Sequence, residues 1–191
     1  MQDVFNFLKV ALSNPSVGAV ARSSRYVVKA VLGLISDRTL NQIVEYGPGD
    51  GVVTLELLKR LSPKGKFLAV DTNPDFLKIL RKINDSRLQV VEGTIEDVSK
   101  NIETYGFNKV DLVVSSIPFS YLSEIEREKI SHLIQKNLAP NGMFIIFHQY
   151  SLIMTKPMRK FFGQVEIIFE PRNFFPCFIV SSVNNKKELV Q

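Results

Sequence analysis

The sequence predicts a single three-layer α/β domain, built on a doubly wound and mostly parallel sheet of seven strands. Apolar runs typical of buried strands alternate with amphipathic helical stretches, as in parallel sheets with helices on both faces. The chain has 191 residues, of which 45% are hydrophobic and 23% are charged, and this suits one globular core. The last two apolar runs follow each other without a helix between them, which predicts two strands joined by a loop.

Each element has a local signal. Pro74 suits the first turn of a helix, where its missing N–H does no harm. Ser123 and Glu126 have the spacing of a capping box, and Asn141-Gly142 predicts a turn before the fifth strand. After a first strand that ends near Tyr46 and the helix that follows it, the predicted elements are strand 66–71, helix 74–83, strand 87–92, helix 95–105, strand 110–116, helix 123–137, strand 143–149 and the strand pair 165–169 and 178–183.

The loop after the first strand is the most informative segment. Gly47, Gly49 and Gly51 lie between an apolar strand and an amphipathic helix. Glycines at such a turn permit backbone angles closed to other residues and let a ligand lie against the main chain. Twenty residues after Gly51, a second apolar run ends in Asp71, whose carboxylate can accept both hydroxyls of a ribose. Together these residues predict a nucleoside pocket at the carboxyl ends of parallel strands.

Two classes of cofactor use such a pocket. A dinucleotide-binding loop has the spacing G-x-G-x-x-G, which would need a glycine where this chain has Val52. The order E-x-G-x-G-x-G, from Glu45 to Gly51, resembles motif I of the class I S-adenosylmethionine (SAM) methyltransferases. That resemblance implies a Rossmann-like fold whose sheet closes with an antiparallel last strand. It also implies SAM as the cofactor, S-adenosylhomocysteine (SAH) as its product, and no metal.

The same resemblance implies a set of cofactor contacts. Glu45 is expected to order the glycine loop or to face the cationic end of SAM, and Asp71 to hold the ribose. Related enzymes often carry an aspartate against the adenine where this chain has Thr94, so the adenine contact would fall to the backbone amide of Ile95 or to Glu96. The predicted cofactor-binding residues are Glu45, Tyr46, Gly47, Gly49, Gly51, Asp71, Thr72, Thr94, Ile95, Ser116 and Ile117.

The end of the fourth strand weakens the case for a nucleobase substrate. Methyltransferases that act on the exocyclic amines of bases carry N/D-P-P-Y/F at this place, and the chain has Ser116-Ile117-Pro118-Phe119. The proline and the aromatic residue are kept, but the Asn or Asp that binds the planar amino group is absent. We therefore expect an apolar entrance lined by aromatic side chains.

Both ends of the chain resemble a narrower family, the bacterial phospholipid N-methyltransferases. V-G-A-V-A-R-S-S-R at 17–25 resembles the segment that precedes motif I in that family, F-H-Q-Y at 147–150 its end of strand five, and R-N-F-F-P at 172–176 its terminal element. Arg22 departs from the family, which usually has proline there, and Phe175 and Cys177 also differ. The resemblance implies methylation of phosphatidylethanolamine toward phosphatidylcholine by a cytoplasmic enzyme, peripheral on an anionic inner membrane face.

Roles follow for the residues in these elements. The predicted substrate-binding residues are Arg22, Ser24, Arg25, Phe119, Tyr121, Arg172 and Asn173, with the three arginines as candidates to hold a lipid phosphate. The predicted catalytic residues are Tyr26, His148 and Tyr150, since His148 or Tyr150 can accept the amine proton through water. The side chains that can offer an aromatic face to an ammonium group are Tyr26, Tyr46, Phe119, Tyr121 and Tyr150.

The predicted single domain of residues 1–191 divides into an N-terminal helical lid (1–38), a cofactor-binding core (41–150), and a C-terminal helix with a strand pair (151–183). In the lid, Phe5, Leu8 and Leu12 share one helical stripe, and a second helix is expected over 24–35. The first helix either packs on the sheet or lies in a membrane interface, and the sequence leaves both alternatives open.

Charge and composition narrow the possible partners. The net charge is +5, and the flanks 1–40 and 156–191 contribute +3 each, leaving −1 for the middle. Basic flanks suit an anionic partner, either a membrane surface or nucleic acid, although a scattered solvated surface has the same composition. The lone Cys177 excludes an internal disulfide. No signal peptide is evident, and no apolar run is long enough to span a membrane.

Three other functions share parts of this pattern. An RNA adenine dimethyltransferase also carries motif I, but it normally has a helical domain after the catalytic sheet and an intact amine-binding motif after strand four. A small-molecule amine methyltransferase would use the N-terminal helices as a lid. A SAM-binding module without turnover is the non-enzymatic alternative. The predicted partner is a phospholipid at an anionic surface, with nucleic acid as the weaker candidate.

Overall fold

The computed structural model of the chain describes residues 24–149, 151–173 and 176–185. The predicted first helix, with Phe5, Leu8 and Leu12, lies outside these residues, and so do Arg22 and Tyr150. The described part forms the helices α1 (Arg25–Leu34), α2 (Val52–Leu58), α3 (Pro74–Leu80), α4 (Ile95–Lys100), α5 (Glu124–Asn137) and α6 (Thr155–Phe162). Its strands are β1 (Leu40–Tyr46), β2 (Leu61–Asp71), β3 (Leu88–Glu92), β4 (Val110–Ser115), β5 (Leu138–Gln149), β6 (Glu166–Glu170) and β7 (Cys177–Val183).

The strands form one seven-stranded sheet in the order β3-β2-β1-β4-β5-β7-β6, which confirms the predicted fold. β1 to β5 are parallel, and β7 runs antiparallel to both of its neighbours. β1 pairs with β2 on one side and with β4 on the other, so the loops after β1 and β4 leave the sheet in different directions. This reversal of strand order opens a crevice at the carboxyl edge of the sheet, where ligands of such folds bind.

Each face of the sheet is covered by its own apolar cluster. On one face, Val31 of α1 and Leu57 of α2 pack with Ile43 of β1, and all three side chains are fully buried. On the other face, Ile134 of α5 and Met158 of α6 pack on the strands together with α4. These two layers of helices hold the strand ends rigidly, so the loops at the carboxyl edge start from fixed positions.

The capping signals hold, but several predicted bounds differ from the structure. β2 and β5 begin earlier than predicted, and α3 ends earlier. Asn141-Gly142, predicted as a turn before the fifth strand, lies within β5, at an irregularity where the partner of Val110 is Leu138 and that of Leu112 is Met143. The capping box of Ser123 and Glu126 is present, and Pro74 opens α3 behind the Asn73 cap. The predicted helix 95–105 is shorter, because α4 ends at Lys100 and a 3₁₀ turn follows over Ile102–Tyr105. The reason lies at Asn101, whose φ of −119° leaves the helical region and whose side chain donates a hydrogen bond to the Asp97 carbonyl at 3.0 Å.

Candidate active site

The glycine loop has the backbone that the sequence predicts. Gly47, Gly49 and Gly51 have φ values of 73°, 57° and 82°, in the left-handed region that favours glycine. A Cβ on Gly47 would lie 3.0 Å from the Ile117 side chain, whereas a Cβ on Gly49 would meet no atom within 4 Å. Gly47 is therefore fixed by packing, and Gly49 faces open space beside its backbone.

Asp71 ends β2 directly opposite this loop. Its carboxylate accepts the backbone N–H of Asn73 at 2.8 Å and that of Gly49 at 3.3 Å, and the residue is only 8% exposed. Burial raises the pKa of Asp71, and these backbone N–H groups partly oppose the change. Two oxygens offer about four acceptor positions, so capacity remains for further donors such as the hydroxyls of a ribose.

Glu45 lies one residue before the end of β1 and is 2% exposed. Its carboxyl group accepts a hydrogen bond from the Thr54 hydroxyl at 2.6 Å, so it joins β1 to α2. Burial raises the pKa of Glu45 to about 8, and the negative charges of Asp71 and Asp50 add to the effect. A buried carboxyl group is more stable when it is protonated or when a cation lies next to it. Sequence reasoning missed Thr54 as the partner of Glu45. The available signal was the position of Thr54 in the helix after the glycine loop, nine residues after Glu45.

The loop after β4 is fastened to the glycine loop. The Ser116 amide donates to the Tyr46 carbonyl at 3.1 Å, and the Ser116 hydroxyl donates to the Gly47 carbonyl at 2.5 Å. Ile117 fills the space that a side chain on Gly47 would occupy. The structure thus brings together Gly47, Ser116 and Ile117, three of the predicted cofactor residues.

The residues after β3 start α4. Thr94 caps α4, because its hydroxyl accepts the Asp97 N–H at 3.1 Å and donates to the Asp97 carboxylate at 2.7 Å. Ile95 is buried in the core, while Thr72 is exposed after β2. The end of β3 still joins the site, since the Gly93 amide donates to the Asp71 carbonyl at 3.1 Å. The Thr94 side chain is thus engaged in holding a helix start.

Two predicted aromatic faces are corrected by the structure. The Tyr46 ring is 1% exposed, and its hydroxyl is hydrogen-bonded to Ser99 at 2.8 Å. Burial raises the pKa of Tyr46. Phe119 is fully buried beneath the loop after β4. Strand alternation turns the Tyr46 side chain into the helix-covered core, so only its backbone borders the glycine loop, and neither ring is open to a substrate.

His148 lies at the carboxyl end of β5, with its ring 5.3 Å from that of Phe119. The side chain is 9% exposed, and its Nε2 has no hydrogen-bond partner among the described residues. Burial lowers the pKa of His148 to about 4, so the ring is neutral at physiological pH. A neutral imidazole nitrogen in this position can accept a hydrogen bond.

Two arginine side chains lie against the ring of Tyr26. The Arg25 guanidinium lies 4.9 Å and the Arg172 guanidinium 4.6 Å from the centre of the Tyr26 ring, and Arg25 also donates to the Tyr26 hydroxyl at 2.9 Å. We call these three residues the arginine–tyrosine cluster. The hydrogen bond from Arg25 is the main reason that the pKa of Tyr26 is lowered. A third cation would be repelled here, which corrects the prediction that Tyr26 faces the substrate ammonium.

The arginine–tyrosine cluster joins the two flanks of the chain. Arg172 pairs through two nitrogens with Glu170 at 2.7 and 2.6 Å, and this pairing lowers the pKa of Glu170 to about 2. Asn173, which follows β6, accepts the Ser24 amide at 3.2 Å, while the Ser24 side chain caps α1. β6 runs parallel to β5, so the cluster lies at the same edge of the sheet as the glycine loop. Sequence reasoning missed Glu170, although its spacing of two from Arg172 is a usable signal.

Two further observations complete the site. Tyr121 is 43% exposed after β4, and Arg127 of α5 donates to the Leu122 carbonyl at 2.5 Å, which holds this loop. Among the described residues, no group of three or more His, Cys, Asp or Glu side chains is arranged to hold a metal. Within the same part of the chain, no helix is both long and apolar enough to cross a bilayer.

The arrangement fits the cofactor that the motif implies. The positive-φ backbone and open space at Gly49 allow a ligand to lie against the main chain. Asp71 supplies an acceptor with free capacity, and the buried Glu45 carboxyl gains from a neighbouring positive charge such as that of SAM. The fit therefore rests on the loop backbone and two buried carboxyl groups.

Comparisons with known proteins agree with this geometry. Residues 43–142 match the methyltransferase domain family. An ornithine lipid N-methyltransferase of Singulisphaera acidiphila is 29% identical over 181 residues, covering 93% of this chain and 94% of that protein. A ribosomal RNA small subunit methyltransferase A of Mycoplasma mycoides is 32% identical over 108 residues, which are 53% of this chain and 39% of that protein.

Solved structures show the same fold. The N-methyltransferase NodS from Bradyrhizobium japonicum, in complex with S-adenosyl-L-homocysteine, aligns with a TM-score of 0.73 over 95% of this chain and 98% of that chain, at 14% identity. The fold, the glycine loop and the family match lead to one conclusion. The chain belongs to the methyltransferase domain family and is a SAM-dependent methyltransferase.

Proposed function

We propose that the enzyme transfers methyl groups from SAM to the amine of a membrane-lipid headgroup. The observation that carries this proposal lies outside the matched region 43–142. There, the start of α1 and the loop after β6 meet in the arginine–tyrosine cluster at the edge of the sheet that holds the glycine loop. The relative named an ornithine lipid N-methyltransferase covers these flanks as well, since it aligns with 93% of the chain.

The charges of the cluster suit the anionic part of a zwitterionic headgroup. Arg172 keeps a side chain that is 64% exposed, although it is paired with Glu170. Arg25 is exposed, and within the described ranges it has no carboxylate partner. Two guanidinium groups beside one aromatic ring can together bind a phosphate or carboxylate. We propose phosphatidylethanolamine as the acceptor, and ornithine lipid is the second acceptor to test.

The residues of the pocket would act mainly by alignment and desolvation. SAM, when bound, supplies a methyl group on a sulfonium centre. Gly49 and Asp71 would hold the nucleoside, and Ser116 and Ile117 would form the wall between cofactor and acceptor. His148 is a weak base, because burial lowers its pKa to about 4, so it would accept a hydrogen bond from the amine rather than keep its proton. That proton would leave to solvent.

The test is to incubate the enzyme with labelled SAM and vesicles that contain phosphatidylethanolamine, then to extract the lipids. We expect label in mono-, di- or trimethylated headgroups. Parallel incubations with ornithine lipid, ribosomal RNA and soluble amines compare the alternatives. Label confined to RNA or to a soluble amine would contradict the proposal, and label in ornithine lipid alone would replace the acceptor while keeping the lipid class.

A further inference from the structure

A line of aromatic side chains crosses the sheet from the site to its exposed edge. His148 of β5 pairs with Phe178 of β7, and Phe178 pairs with Phe169 of β6. Residues paired in register point to the same face of a sheet, so these three rings lie side by side. At one end, the ring centres of Phe119 and His148 are 5.3 Å apart. At the other end, the ring centres of Phe169 and Phe178 are 5.0 Å apart. We call Phe119, His148, Phe178 and Phe169 the aromatic row.

The row becomes more exposed toward the edge of the sheet. Phe119 is fully buried and His148 is 9% exposed, but Phe169 is 53% exposed. Next to Phe169 on the same face, Ile167 is 39% exposed. Among the described residues, the layer of helices ends above β7, where Met158 of α6 packs in one cluster with Val180. The helices in this part of the chain leave the outer face of β6 uncovered.

The other face of the same strand is covered. Ile168 points toward α1 and packs with the first apolar cluster. β6 therefore combines a packed inner side chain with two large uncovered ones on an edge strand. Large exposed apolar side chains on an edge strand are usually avoided in soluble proteins, and they mark a surface with a partner.

The charges at the carboxyl end of β6 indicate which partner binds. Glu170 follows Phe169 directly, so its side chain points to the opposite face, toward α1, where it holds Arg172. Arg172 in turn stacks on Tyr26 beside Arg25. A strand with large apolar side chains on one face and a pair of guanidinium groups at its end on the other matches a bilayer, where hydrocarbon adjoins anionic headgroups. The row also leads inward to the buried end of β5, where the proposed acceptor amine would be methylated.

We infer that the outer face of β6, with Ile167 and Phe169, contacts the hydrocarbon of the bilayer, and that the aromatic row continues from it into the site. This inference rests on the proposed function. It assigns membrane contact to the sheet edge, at the opposite end of the chain from the predicted first helix. Ile167 and Phe169 would enter the interface while Arg25 and Arg172 remain at headgroup level.

The experiment measures binding of the full chain to vesicles of phosphatidylethanolamine and phosphatidylglycerol by flotation. The double variant Ile167→Ser/Phe169→Ser should bind about tenfold or more weakly, because two large apolar side chains no longer leave water. The matched control is Ile79→Ser, since Ile79 on α3 is 42% exposed and far along the chain from β6. Melting temperature and SAH affinity, measured on each variant, report whether the fold and the cofactor site remain.

Three results would overturn the inference. They are equal vesicle binding by the double variant and the wild type, an equal loss in Ile79→Ser, and a wild-type dimer that the double variant converts to monomer without any change in vesicle binding. The last result would show that β6 pairs two copies of the chain. Methyl transfer to lipid in detergent micelles needs no bilayer, so its absence in the wild type would overturn the proposed function instead.

Discussion

The two ends of the site differ in the chemical groups that form them. The cofactor end consists of backbone and buried carboxyl groups, with Gly47, Gly49, Asp71 and Glu45 held by the sheet. The flank end consists of exposed charged side chains, with Arg25 and Arg172 stacked on Tyr26. Burial raises the pKa of both carboxyl groups at the first end, whereas a paired arginine lowers that of Glu170 at the second. The comparison suggests that the first end defines the reaction and the second the substrate.

The largest effect is expected at Asp71. Asp71→Ala would remove an acceptor for two ribose hydroxyls, and hydrogen bonds to a charged group contribute about 1.5–3 kcal/mol each. We expect SAM affinity to fall about a hundredfold or more. The melting temperature should fall as well, because the amides of Asn73 and Gly49 lose their acceptor, but the chain should remain folded. Titration calorimetry with SAM and SAH measures this, and an unchanged affinity would mean that the ribose lies elsewhere.

Glu45 should control stability at alkaline pH. Its pKa is about 8 in the folded chain and near 4.5 when unfolded, so the stability that depends on its proton is present at low pH and is lost as pH rises toward 8. Glu45→Gln keeps an acceptor for Thr54 without the charge. Urea unfolding at pH 6.5 to 9 should show stability falling in the wild type and nearly flat in the variant. The same dependence of stability on pH in the wild type and in Glu45→Gln would contradict a raised pKa of the buried Glu45 carboxyl group.

Gly49 offers a matched pair with Gly163, the residue after α6. Both have positive φ, 57° and 82°, and a Cβ on either would meet no atom within 4 Å. Gly49→Ala should lose about 1–2 kcal/mol of stability. Gly163→Ala should lose at least as much, because the ψ of −73° at Gly163 lies outside the left-handed helical region. Only Gly49→Ala should also weaken SAM binding, by about tenfold, because its methyl group takes space beside the loop. Equal SAM affinity in the two variants would place the cofactor away from Gly49.

The smallest effect is expected at the flank. Arg172→Gln should raise the KM for lipid by about fivefold to tenfold and leave SAM affinity unchanged, since one charge-assisted contact is weakened. Arg81→Gln, at an exposed arginine that ends α3, is the control. Steady-state kinetics with mixed micelles separates KM from kcat. A fall in kcat with constant KM would move Arg172 into the reacting geometry.

The same division explains what the sequence could predict. The fold and the glycine loop follow from periodicity and from the rare backbone angles that three glycines permit, and both are local properties of the chain. The faces of Tyr26, Tyr46 and Phe119 could not be predicted, because their exposure depends on which distant groups cover them. Arg172, 146 residues after Tyr26, covers one ring, and Ser99 pairs with the hydroxyl of another.

The hydrogen bonds from Ser116 to Tyr46 and Gly47 have a kinetic consequence. They join the loop after β4, the proposed wall on the acceptor side, to the glycine loop, the proposed binding surface of the nucleoside. Ordering of one loop would therefore restrain the other. We expect a compulsory order of addition, in which SAM enters before the lipid and SAH departs after the methylated product. Each round of methylation would then require the lipid to dissociate from the enzyme before a new SAM molecule can bind.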